Sequence, residues 1–197
     1  MDILQQTHPA FQEGVRVKII RFETPCTVWV RIDEWPKITA QINSDIVENP
    51  WLYIPDPDRL TSGIFVAALI TVRTLNFWDR AILLERTSKG FYVFFIDWGL
   101  RIHQTFETIR LLPNKFRSEA PWARKIHLQR VRDQPRQTIK HDVAKFVMSG
   151  RQFGSLHNIN PSPGETMSAT LMLDWRAGEP PRDVAEYLLM LRLVDPE

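Results

Sequence analysis

Between Phe65 and Thr105, four short runs of β-forming residues follow one another with little but turn residues between them, which rules out a helical bundle there. The runs are Phe65 to Ile70, Asp79 to Glu85, Gly90 to Ile96 and Arg101 to Thr105. Gly90 and Gly99 stand where the chain must reverse, because glycine reaches positive φ at little steric cost. Short strands in such close succession predict a small antiparallel barrel. Leu111-Leu112-Pro113 ends this block.

The segments on either side read differently. Val15, Val17 and Ile19 alternate with Arg16 and Lys18, the period-two pattern of a half-buried strand. After a turn at Glu23-Thr24-Pro25, alternation resumes through Cys26, Val28, Val30 and Ile32, so the pair predicts a hairpin. Trp35, Ile38, Ile42 and Ile46 then recur at helical spacing, with Pro36 suited to a first turn and Pro50 stopping the helix. Beyond the central block, Ile126, Leu128 and Val131 predict one strand, and 137–148 a helix with Ile139, Val143, Phe146 and Val147 on one face. A loop from His157 to Gly164 and a strand from Ala169 to Leu173 follow. The chain closes on a helix bearing Val184, Tyr187, Leu188 and Leu191. A lone hairpin is marginal in water. The simplest arrangement therefore joins the first and third parts into one mixed unit of β-barrel and helix, with the middle barrel inserted in it.

Composition narrows the chemistry. The 25 Lys plus Arg nearly balance the 23 Asp plus Glu, so no concentrated basic surface announces a nucleic-acid binder. Cys26 is alone, which excludes an internal disulfide and a thiolate metal site. His8, His103, His127, His141 and His157 never fall at a metal-ligand spacing. The longest apolar stretch, Ile64 to Ile70, is far short of the ~20 residues that cross a bilayer. Neither metal nor membrane is expected. The opening Asp2-Ile3-Leu4-Gln5-Gln6 is not a secretory signal, so a soluble protein of a reducing compartment is expected.

Phe77-Trp78-Asp79-Arg80-Ala81, followed by Phe94-Phe95-Ile96-Asp97-Trp98-Gly99, resembles the Tudor pattern, in which an aromatic pair precedes Arg-Ala and an aromatic-Ile-Asp-aromatic-Gly-Asn run ends the next strand. Ile109-Arg110-Leu111-Leu112-Pro113 with Phe116 is similar to the exit of a Tudor barrel. The flanks resemble the split, nuclease-like OB fold that wraps the barrel in extended Tudor domains, so the resemblance runs from about Phe11 to Val194. It implies a fold that is mainly β with α: a small antiparallel Tudor barrel joined to a split OB barrel with helices. The expected divisions are 11–54 for the first OB half with a linker helix, 55–118 for the Tudor barrel and 119–194 for the second OB half. Such domains commonly bind methylated arginines in the N-terminal tails of PIWI-clade Argonautes, within cytoplasmic, perinuclear granules of the piRNA pathway. No cofactor is implied.

The resemblance places two cage rings at Phe95 and Trp98, with Phe77 beside them. Asp79 stands where a third ring is expected, Arg73 or a neighbour where the fourth lies, and Leu100 replaces the usual asparagine. A carboxylate at Asp79 would accept two hydrogen bonds from an unmodified guanidinium, a geometry that methylation impairs. Phe95 and Trp98 would stack on its plane. The expectation is an arginine reader that favours the unmethylated side chain or is indifferent to methylation, its peptide lying in a groove between the two barrels. The residues alone leave alternatives open. Phe94 and Phe95 alternate on a strand, so one of them is core. Asp79 by itself reads as a solvated strand residue paired with Arg80 or Arg101. Asp97 reads as a turn-shaping acceptor of backbone amides.

Catalysis is not expected. A nuclease needs clustered carboxylates, whereas the adjacent Asp33 and Glu34 point to opposite faces of a strand, and no phosphate loop or nucleophile elbow is present. Arg124, Lys125, Arg130, Arg132 and Arg136 read as a solvated face on which RNA contact would be secondary, since only Trp122 offers a stacking ring there.

Overall fold

The computed structural model describes residues 6, 8–32, 37–72, 74–133, 153–160, 166–174 and 179–197. Its first half runs β1 (Arg16–Thr24), β2 (Thr27–Ile32), helix α1 (Lys37–Glu48), β3 (Phe65–Val72), β4 (Leu75–Thr87), β5 (Gly90–Phe95), β6 (Leu100–Gln104) and β7 (Ile109–Leu111). Then come β8 (Ala123–Leu128), β9 (Val131–Arg132), β10 (Phe153–Asn160), β11 (Thr166–Leu173), β12 (Arg182–Asp183), helix α2 (Val184–Met190) and β13 (Asp195–Pro196). The fold is mainly β with helices. Two compact units divide it: one takes both ends of the chain, up to residue 33 and from residue 123, and the other is residues 34–122.

In the unit made from the ends, the sheet order β10-β1-β2-β8-β11 closes on itself through the β10–β11 pairing. All pairs are antiparallel except β8 with β11. A closed five-stranded barrel with this strand order is the OB arrangement. Register shifts in β1 after Ile19 and Phe22 mark irregularities of the kind that bend and twist a strand into a barrel wall. Val17, Val28, Val30, Ile126, Leu156 and Leu171 are fully buried, as alternation requires. Asp183 caps α2 by accepting from the Ala185 amide at 2.8 Å, and the helix buries Val184, Ala185 and Leu188.

Two expectations are corrected here. The segment from His157 that reads as loop is strand β10 as far as Asn160. Its glycine has a packing reason, since a Cβ on Gly154 would lie 2.4 Å from the Met172 carbonyl oxygen of the neighbouring strand. The strand expected through Ile126, Leu128 and Val131 is two, because Arg130 takes a φ of 67° and turns the chain between β8 and β9. The helix expected over 137–148 lies outside the described residues. So do Asp33, Glu34, Trp35, Arg73, Arg136, His141 and Trp175.

In the central unit, antiparallel strands run in the order β6-β5-β4-β3-β7. Val66, Ala68, Ile70, Leu83, Phe91, Val93 and Ile109 fill the inside. On the outside, α1 lays Ile38, Ile42 and Ile46 against Ala67, Leu112 and Phe116. These isoleucines repeat at four-residue spacing, one stripe of a helix. By its packing, α1 is part of this unit.

Candidate binding site on the central barrel

Strand β4 turns Phe77, Asp79, Ala81 and Leu83 inward, with Trp78, Arg80 and Ile82 on the other face. On β5 the inward set is Phe91, Val93 and Phe95. This settles the alternation: Phe95 is enclosed and Phe94 is the half-buried outer ring. After Phe95 the chain turns back on itself. The amides of Trp98 and Gly99 both donate to the Phe95 carbonyl, at 3.1 and 2.9 Å, and Gly99 takes a φ of 60° that L side chains resist. The turn brings Trp98 over the barrel end, where its ring lies 5.9 Å from that of Phe77 at an interplanar angle of 36°. Leu100, opposite Ala81's partner Phe95, packs half-buried on the same cluster.

All five site residues read from the sequence thus converge. What differs is their exposure. Phe77, Phe95 and Trp98 are buried, and Asp79 is only 1% exposed. Asp79 is no solvated strand residue, and it pairs with neither Arg80 nor Arg101 through their side chains. Its Oδ1 accepts from the Thr39 hydroxyl at 3.3 Å and from the Arg80 amide at 2.8 Å, while Oδ2 accepts from the Trp98 indole N–H at 2.8 Å. A carboxylate has about four lone-pair sites. Three donors occupy them, so one site remains on Oδ2, beside Trp98. On this count Asp79 has room for one further donor. Burial, helped by the charge of Asp97, pushes the Asp79 carboxyl up to about 7, against the pull of Trp98 and Arg80.

Two polar residues of α1 belong to this site and were not singled out from the sequence. Thr39 holds Asp79. Asn43 donates to the Trp78 carbonyl at 2.8 Å and accepts from the Trp78 amide at 2.8 Å. β5 pairs with β4 only as far as Ala81, so the Asn43 amide stands in for a missing strand at Trp78. The legible signal is their i, i+4 spacing along the edge of the isoleucine stripe.

No protein-family model and no curated protein matches the chain. Solved structures do. The human TDRD1 extended Tudor domain, solved with a symmetrically dimethylated peptide, superimposes with a TM-score of 0.77 at 13% identity, covering 99% of this chain and 96% of that one. The extended Tudor domain of Drosophila melanogaster Tudor-SN gives 0.74 at 22% identity, over 94% and 85%. That of Drosophila melanogaster Papi, solved with a Piwi N-terminal peptide, gives 0.70 at 14%, over 94% and 100%. The fold is that of an extended Tudor domain.

Its Tudor barrel is pinned by the outer face of β4. Arg80, fully buried, donates from Nε and Nη2 to the two carboxylate oxygens of Asp97, both at 2.7 Å. The rest of the guanidinium reaches the carbonyls of Phe116, Glu119 and Ala120. Asp97 also accepts from the Trp122 amide at 2.9 Å, so it takes a backbone amide as expected but is chiefly the counter-ion of Arg80. Burial works against the Arg80 charge, yet Asp97 more than offsets it and holds the guanidinium above its ordinary value. The described residues of this extended Tudor fold contain no group of three His, Cys, Asp or Glu side chains fit to hold a metal, and no helix long and apolar enough to cross a membrane.

Proposed function

We propose that this domain is an adaptor without catalysis of its own, binding an arginine-containing N-terminal segment of a PIWI-clade Argonaute in piRNA silencing, in cytoplasmic, perinuclear granules. The observation that carries the reading is the buried Asp79 carboxylate, held by neutral donors and set among the rings of Phe77, Phe95 and Trp98. A guanidinium reaching Asp79 at this end of the barrel would gain a charge-assisted hydrogen bond, with cation–ring contacts of roughly 0.5–2 kcal/mol each. Solved extended Tudor domains of this fold hold dimethylarginine peptides and peptides of Piwi and Aubergine. Favouring unmethylated arginine, or indifference to methylation, is behaviour that resembles the first extended Tudor domain of the insect protein Krimper.

Of the two methylation behaviours expected from the sequence, a single acceptor favours indifference. Symmetric dimethylation leaves a hydrogen on each guanidinium nitrogen, enough for one bond though not for an unhindered fork. Calorimetric titration of an arginine-rich Piwi-type N-terminal peptide, unmodified and symmetrically dimethylated, tests this. Affinities within a few-fold of each other are expected, both falling about ten-fold or more in Asp79→Asn through loss of the charge-assisted bond. A ten-fold preference for the methylated peptide would overturn the indifferent reading. Failure of both forms to bind would overturn the arginine site itself.

A further inference from the structure

The end of α1 carries a second surface. Eight large hydrophobic side chains are exposed among the described residues, and four of them, Val47, Trp51, Leu52 and Ile54, fall within eight consecutive positions. The others are dispersed along the chain at Leu75, Leu84, Met190 and Leu191. Exposures of 71% for Val47, 67% for Trp51, 62% for Leu52 and 56% for Ile54 are those of side chains displayed to solvent. Isolated exposed apolar residues are ordinary, but a contiguous group with a tryptophan marks a contact surface.

The backbone sets where these side chains lie. Pro50–Tyr53 is a single 3-10 turn that starts on proline. The Asn49 amide donates to the Asp45 carbonyl and the Leu52 amide to the Asn49 carbonyl, so the turn follows directly on α1, across a break at Asn49 whose φ of -135° and ψ of 56° are not helical. Tyr53 packs on the α1 cluster and Pro55 is buried, while Trp51, Leu52 and Ile54 between and before them point out.

Charge decides the occupant. Glu48, Asp56 and Asp58, all exposed, flank these residues in the sequence. Arg59 is bound to Asp56, Lys115 is bound to Asp45, and Arg86 reaches the Pro57 carbonyl. Glu48 accepts from the Ser44 hydroxyl, and neither it nor Asp58 forms an ion pair with a described residue. Two copies meeting patch to patch would set these carboxylates against one another, which disfavours a symmetric dimer. We propose that residues 47–58 dock a cationic segment of a partner protein, one that places an apolar side chain against Trp51 and Leu52 between flanking lysines or arginines.

The test uses an amphipathic Lys/Leu peptide and its Glu/Leu counterpart as probes, titrated into the isotope-labelled protein. The Lys/Leu peptide should bind, shift the amides of residues 47–58, and lose about ten-fold or more in affinity with Trp51→Ala, a hot-spot loss. Glu48→Gln with Asp58→Asn should weaken it less and flatten its salt dependence. Trp51 is mainly exposed, so an unchanged melting temperature in Trp51→Ala will show that the fold is intact. No binding, equal binding to Trp51→Ala, or equal binding of the Glu/Leu peptide would overturn the proposal. So would a concentration-dependent dimer that Trp51→Ala abolishes, since the occupant would then be a second copy.

Discussion

Asp79 and Asp97 are both buried in the central unit, on opposite faces of strand β4, and their surroundings treat the charge in opposite ways. Asp97 meets a guanidinium through two hydrogen bonds and a backbone amide through a third, so its charge is fully countered. Asp79 meets only neutral donors: a hydroxyl, a backbone amide and an indole. Burying a carboxylate among neutral groups is costly, and that is why the proton is retained to higher pH at Asp79. The paired charge holds the fold together. Asp79 has no cationic side chain among its hydrogen-bond donors, and in the proposed reading it is the carboxylate that an incoming guanidinium would meet.

The strongest way to break the contrast is Asp97→Ala, which leaves Arg80 buried without its counter-ion. The expected loss is about 3–5 kcal/mol, read from the denaturant midpoint. Asp79 should behave otherwise with pH. Its folded value of about 7 lies above the ordinary 3.8, so the folded state holds the proton more tightly. The stabilisation is fully present below about pH 4 and is lost as pH rises through 7, with a slope of at most about 1.4 kcal/mol per unit. Asp79→Asn should flatten this part of the stability profile, whereas an unchanged profile would mean that another group titrates. Thr39→Val removes one neutral donor and should cost about 1 kcal/mol by thermal unfolding, more at pH 8 than at pH 5. Arg101→Ala, which breaks the exposed pair with Glu85, should change stability by less than about 1 kcal/mol at any pH.

Alternation and punctuation were enough to read the β1–β2 hairpin, the central strands and α1, because those segments announce their buried face locally; the closing helix was read, but it ends before Leu191, which is exposed, and it buries Ala185 beside Val184 and Leu188. Strand β10 was hidden because Gly154, Asn158 and Asn160 are turn-forming residues taken up by a sheet. Only the neighbouring strand explains Gly154. The convergence of Phe77, Phe95, Trp98 and Leu100 followed from the family pattern. The state of Asp79 did not, since its partners Thr39 and Trp98 lie 40 and 19 positions away. Arg80 was read beside Asp79 for the same reason: adjacency in sequence is visible, but a partner 17 residues on is not.

The OB barrel is closed by strands from both sides of the inserted unit, and this has a consequence for the order of events in folding. Strand β2 pairs with β8, Val30 facing Arg124, and β1 pairs with β10, Val17 facing Gly154. While the chain is being made, β1 and β2 emerge as a two-stranded ribbon whose neighbours do not yet exist, and such a ribbon is marginal. The Tudor barrel has its own apolar core and all its strands by Leu111, so it can fold as a unit while the ribbon waits. The strands synthesised first are therefore completed last.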